Sequence, residues 1–116
     1  MHNFESANIT VMVKNMDSAV RFYTETLGFK LLNRFGDHWA DVEGPGISIG
    51  LHPANENMKL GDNMQIGLNV IDIDSSVKEL TEKGIRFEII DDEMVRLALF
   101  TDPDGNALYL VQPKEH

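Results

Sequence analysis

Apolar and polar residues alternate through Ile9, Val11 and Val13, and again through Ile66, Leu68 and Val70, the period-two pattern of a strand with one buried face. After each strand the spacing lengthens to that of a helix, with Val20, Tyr23 and Leu27 in the first stretch and Val77 and Leu80 in the second. Asp17 and Asp74 stand where a carboxylate can accept hydrogen bonds from the free amides of a first turn, so they or their neighbours are the expected N-caps. Gly28 and Gly84 follow the last apolar positions and are the expected left-handed residues that end each helix. Strands are then expected near Lys30 to Phe35, His38 to Val42 and Ile47 to His52, and near Arg86 to Ile90, Val95 to Thr101 and Asn106 to Gln112. Gly36-Asp37, Glu43-Gly44-Pro45-Gly46 and Asp102-Pro103-Asp104-Gly105 supply turns between them.

The two stretches are copies of one another. Val13, Asp17, Ser18, Val20, Thr24 and Glu25 recur at a constant offset as Val70, Asp74, Ser75, Val77, Thr81 and Glu82, and Gly28 returns as Gly84 after a one-residue deletion. Both halves therefore read βαβββ. The expected fold is α+β: two tandem modules, about residues 5–52 and 64–112, joined by a polar linker over 53–63 within a single domain spanning 1–116. A four-stranded sheet with one helix covers only one of its faces. Two such sheets side by side are expected to make a curved half-barrel trough with helices on the outer side.

Composition narrows the partners. A formal net charge of −9 repels phosphate backbones and anionic lipid, which argues against nucleic acid and membrane surfaces. The chain has no cysteine, so disulfides, thiolate ligands and a Cys nucleophile are excluded together. No apolar run approaches the ~20 residues that span a bilayer, and a cytoplasmic location is expected.

The blocks NITVMVKNMDSAVRFYTETLGFKLL and LFTDPDGNALYLVQP, in that order and within a duplicated chain, resemble signature blocks of the vicinal-oxygen-chelate superfamily. This is the glyoxalase, bleomycin-resistance and extradiol-dioxygenase group. The resemblance covers about Ile9 to Gln112 and implies the paired-module fold. Its members include lyases, transferases, epimerases, ring-cleaving dioxygenases and drug-sequestering proteins, so fold alone does not assign a function. It also implies a divalent-metal site built from one side chain on the first and last strand of each module, mainly His, Glu or Gln. Carried onto this chain, those positions are Asn8, Gly50, Gln65 and Tyr109. None is a histidine or a carboxylate, and Gly50 has no side chain, so no metal and no other cofactor is expected. A shifted site through His52 and Gln65 lacks a third ligand of comparable placement.

Strand alternation from those four positions defines the concave face. It carries Asn8, Thr10 and Met12; Ser48, Gly50 and His52; Gln65, Gly67 and Asn69; and Ala107, Tyr109 and Val111. The opposite parity is Ile, Leu or Val. Trp39, Arg96 and Phe100 are further candidates, on the assumption that Ala40 with Val42, and Leu97 with Leu99, face the helices. Trp39 either stacks a planar ligand or fills core or dimer space. Arg96 either neutralises a ligand carboxylate or forms a salt bridge. His52 and Tyr109 are the candidate acid/base pair, with a strand-end polar residue and a pocket wall as the plainer alternatives.

The expected function is a metal-independent small-molecule binding protein of the bleomycin-resistance type, a homodimer holding a polar or aromatic metabolite or drug. The alternative is a glyoxalase-like lyase, isomerase or dioxygenase, with an atypical metal site or with metal-free acid/base chemistry through His52 and Tyr109.

Overall fold

The computed structural model describes residues 8–54, 64–93 and 95–113, and within them each repeat is a strand, a helix and three further strands. The first module comprises β1 (Ile9–Val13), α1 (Met16–Arg21), β2 (Lys30–Phe35), β3 (Trp39–Gly44) and β4 (Ile47–Pro53). The second comprises β5 (Gln65–Asn69), α2 (Ile73–Glu82), β6 (Glu88–Asp91), β7 (Val95–Thr101) and β8 (Ala107–Pro113). Each makes a four-stranded mixed sheet, ordered β1-β4-β3-β2 or β5-β8-β7-β6, with only the first and last strands parallel. This is the expected α+β pair of βαβββ modules. The chain divides into two compact units, Met1–Met58 and Lys59–His116. Of the expected linker, only Pro53 and Ala54 lie among the described residues.

The helix N-caps stand two residues before the aspartates that suggested them. Asn15 Oδ1 accepts from the Ser18 amide at 3.0 Å, and Asp72 Oδ1 from the Ser75 amide at 3.3 Å, so these neighbours are the N-caps. Asp17 and Asp74, one position inside the first turn, instead hold arginines from the sheets. Asp17 Oδ1 lies 2.6 Å from Arg34 Nη2, and Asp74 Oδ1 lies 2.7 Å from Arg96 Nη1.

At the other end, Gly28 (φ +80°) and Gly84 (φ +97°) adopt the left-handed conformation that reverses the chain. The path to the first glycine is one residue longer, and the structure absorbs that residue in a π-helical turn over Phe22–Thr26, closed by the Leu27 amide donating to the Phe22 carbonyl. A single inserted residue widening one turn is the usual origin of such a bulge. Here it brings Phe22 and Tyr23 inward, where both are buried and meet edge to face at 5.1 Å between centroids.

Each sheet buries one face against its own helix. In the first unit, Val11, Val13, Ala40, Val42, Ile49 and Leu51 on the sheet and Ala19, Val20 and Tyr23 on the helical segment are all buried. In the second, Ile66, Ala98, Leu108 and Leu110 form the corresponding layer with Ile73. A buried branched aliphatic side chain stabilises by about 1.5–3 kcal/mol, which makes these layers the main source of stability. The last hairpin turn is held differently. Asp102 is only 3% exposed and accepts from the Asp104 and Asn106 amides, both at 2.9 Å, and from Asn106 Nδ2 at 2.8 Å. No helix among the described residues is long and apolar enough to cross a membrane.

Candidate functional site

Alternation leaves each unit with one face that its helix does not cover. In the first unit, Thr10 stands opposite Gly50 and Met12 opposite His52 across the parallel β1–β4 pair. Asp41 stands opposite Gly50 and Glu43 opposite Ser48 across the antiparallel β3–β4 pair. The uncovered face thus carries Asn8, Thr10, Ser48, Gly50, His52 and Trp39 together. In the second unit, Gln65 opposes Ala107, Gly67 opposes Tyr109 and Asn69 opposes Val111. Here Gln65, Asn69 and Tyr109 share the uncovered face.

Two glycines on these faces are covered by aromatic rings. A Cβ at Gly50 would overlap the six-membered ring of Trp39, and a Cβ at Gly67 would overlap the phenol of Tyr109. Ring and glycine fit because the glycine offers no side chain to push the ring away. Gly50 is buried as a result, although it belongs to the face that its own unit's helix leaves uncovered. Beside the indole, the His52 ring stands edge-on at 6.1 Å between centroids. Its Nδ1 lies 2.8 Å from the Pro53 carbonyl oxygen. A carbonyl can only accept, so Nδ1 carries the proton, and in the neutral ring Nε2 keeps the lone pair.

The register in β7 departs from expectation. Phe100 is 5% exposed and packs on Phe87 at 5.2 Å, and Ala98 is fully buried beside it, so this parity faces the helix. Arg96 shares that parity and reaches Asp74 on α2. Leu97, Leu99 and Thr101, opposite Val111, Tyr109 and Ala107, line the uncovered face instead. Phe100 is therefore a core residue and Arg96 a helix-tethering ion pair, and neither belongs with Tyr109.

Four residues of the first face were not anticipated: Asn33, Phe35, Asp41 and Glu43. Phe35 pairs with Trp39 and Asn33 with Asp41 across β2–β3. The alternation in Trp39-Ala40-Asp41-Val42-Glu43 was the available signal for the two carboxylates, since it fixes Asp41 and Glu43 on the same side as Trp39. Asn33 and Phe35 could not be phased, because the ladder shifts register between Leu31 and Asn33.

Each unit also has a hollow at the same end of its sheet. The first, about 590 Å³, is lined by Asn8, Ile9, Glu43, Gly44, Gly46, Ile47 and Ser48. The second, about 390 Å³, is lined by residues that include Gln65, Arg86, Phe87, Thr101 and Ala107. Asn8 and Gln65 are repeat equivalents, as are Ser48 and Ala107, so the duplication extends to the cavities.

Against the ligand set implied by the resemblance, Asn8 and Gln65 offer neutral amides, Tyr109 a phenol and Gly50 no donor. These do not fit a divalent transition metal, which favours imidazole, carboxylate or thiolate. Among the described residues, no three His, Asp or Glu side chains are grouped to hold a metal ion.

Comparison with known proteins places the chain in a family. An uncharacterized protein of Mycolicibacterium smegmatis is 30% identical over 115 residues, covering 97% of both chains. Among solved structures, TnmS3, an antibiotic binding protein from Streptomyces sp. CB03234, is 30% identical with a TM-score of 0.73, covering 97% of this chain and 100% of that one. A glyoxalase/bleomycin resistance protein/dioxygenase from Nocardioides has a TM-score of 0.81 at 22% identity, covering 99% of this chain and 87% of that one, a likeness of fold alone. The model of the Glyoxalase/Bleomycin resistance protein/Dioxygenase superfamily matches residues 6–110, and the chain belongs to that superfamily.

Proposed function

We propose that this protein binds a polar or aromatic small molecule on the face that carries Trp39, and does so without a metal ion. The observation behind this reading is the pairing of Trp39 with Gly50. Where the family pattern projects a ligating side chain, this chain has a glycine with an indole lying on it. An aromatic floor flanked by Asn8, Thr10, Ser48 and His52 suits a planar molecule with a few hydrogen-bonding groups. The 30% identity to an antibiotic binding protein supports the same reading. We further propose a cytoplasmic homodimer. Support for pairing comes from the edge strands β2 and β6, where Leu31, Leu32, Phe35, Ile89 and Ile90 are exposed.

Trp39 is the only tryptophan, so its emission reports on this face alone. Titration with bleomycin and with planar aromatic metabolites is expected to give a saturable change with at least one compound. Calorimetry should show that compound's binding lost in Trp39→Leu. Flat titrations across the panel would reject the reading.

A second reading is acid/base catalysis through His52, favoured by the anchoring of its Nδ1 on the Pro53 carbonyl, which leaves Nε2 as the base. It requires turnover that is lost in His52→Gln.

A further inference from the structure

Resting on the binding reading above, we infer that the ligand class of the Trp39 face is a planar organic cation, with its positive charge set against Asp41. Three observations carry this. First, Asp41 flanks the indole: the ring lies on Gly50, and Asp41 is the residue directly opposite Gly50 on β3, on the same face. Directly opposed residues have Cβ positions about 5 Å apart, so a molecule stacked on the ring reaches the carboxylate.

Second, among the described residues no cation neutralises Asp41. Its cross-strand neighbours are Gly50 on one side and Asn33 on the other. Among the described residues its carboxylate has no hydrogen-bond or ion-pair partner. The nearest lysine in the ladder, Lys30, stands opposite Glu43. Arg34 is held by Asp17 and Asp37, and Arg96 by Asp74. The arginine that would have suited a ligand carboxylate is thus on the helix side of its sheet.

Third, Asp41 is half-buried, unlike the exposed Asp17, Asp37 and Asp74. A carboxylate partly withdrawn from water beside an aromatic ring attracts a cation twice, through its charge and through the ring quadrupole. A ligand anion meets repulsion there, and a neutral ligand desolvates the carboxylate further with nothing in return.

The test uses three compounds of one shape: N-methylquinolinium, quinoline and quinaldate, each titrated calorimetrically at mildly alkaline pH, where quinoline is uncharged. N-methylquinolinium is expected to bind about tenfold tighter than quinoline, with quinaldate weakest. Asp41→Asn, which keeps the side-chain shape and should keep the Tm, is expected to bring the cation within about twofold of quinoline. Trp39→Leu should weaken both. A cation that binds no tighter than quinoline, or a preference that survives Asp41→Asn, overturns the inference while leaving the Trp39 site intact. Failure of all three compounds to bind, or binding indifferent to Trp39→Leu, overturns the inference together with the binding reading.

Discussion

The indole of Trp39 lies on the α-carbon of Gly50 so closely that a methyl group at that position would overlap its six-membered ring. A glycine in a strand ordinarily weakens it by leaving a gap in the side-chain layer, and here an aromatic ring from the next strand fills the gap. Gly50→Ala must therefore expel the ring. Overpacking of this kind costs about 1–3 kcal/mol. The expected outcome is a loss of that order in urea denaturation, with red-shifted tryptophan emission and lost ligand binding. Unchanged emission and stability would show that the ring does not lie on the glycine.

The buried carboxylate of Asp102 holds the last turn through two backbone amides and the Asn106 side chain. Asp102→Ala leaves those donors without an acceptor at a site water cannot easily reach, and should destabilise by about 2–4 kcal/mol. Asp102→Asn should recover most of this. Its carbonyl oxygen can still accept from both amides, and Asn106 can turn its own amide to present oxygen to the new NH2 group. Equilibrium denaturation of the two variants distinguishes hydrogen bonding from charge as the origin of the effect.

Acid should unfold the protein partly through two helix starts. The hydrogen bond and the charge of Arg34 hold the Asp17 carboxyl below its ordinary value, and the Ser75 amide and hydroxyl do the same for Asp72. A carboxylate depressed in the folded state contributes stability that is complete above its unfolded pKa and is lost as pH falls through its folded one. The expected decline in Tm therefore begins at about pH 4 and continues below it. Arg34→Gln removes the Asp17 share, so its acid limb should be shallower than that of the wild type. An identical pH profile in the variant would contradict the assignment.

Arg96 provides a control on the sheet register. Because it meets Asp74 on the helix side, Arg96→Met should leave ligand affinity at the Trp39 face unchanged. As a largely solvent-exposed pair, it should change stability by less than about 1 kcal/mol. A loss of affinity would contradict that placement of Arg96.

The same strand shows why part of the structure was legible in the sequence and part was not. In β1, β4 and β5, small polar residues and glycines alternate with Ile, Leu and Val, so phase follows from pattern, and the placement of Asn8, Thr10, Gly50, His52 and Gln65 agrees with it. In Val95–Thr101, leucines sit on one parity and Ala98 with Phe100 on the other, so hydrophobicity carries no phase. The volume of Phe100 decides it, by filling the core opposite Leu108. The helix caps were displaced for a related reason: Asn15, Asp17, Asp72 and Asp74 can all accept from first-turn amides, and only the backbone geometry selects among them. The one-residue excess before Gly28 was visible as a break in the repeat, but its absorption by a π-helical turn was not. Asp41 and Glu43 were within reach of the alternation that placed Trp39, and give the first face the negative charge that the four inherited positions lack.

Binding without a metal rests on Trp39 and Gly50 standing where a metal-binding side chain would otherwise project. Elemental analysis of the untagged protein, purified without chelators, tests this most directly. The predicted result is zinc, nickel, iron and manganese all far below stoichiometric. A stoichiometric transition metal that survives dialysis and disappears in His52→Ala would contradict it.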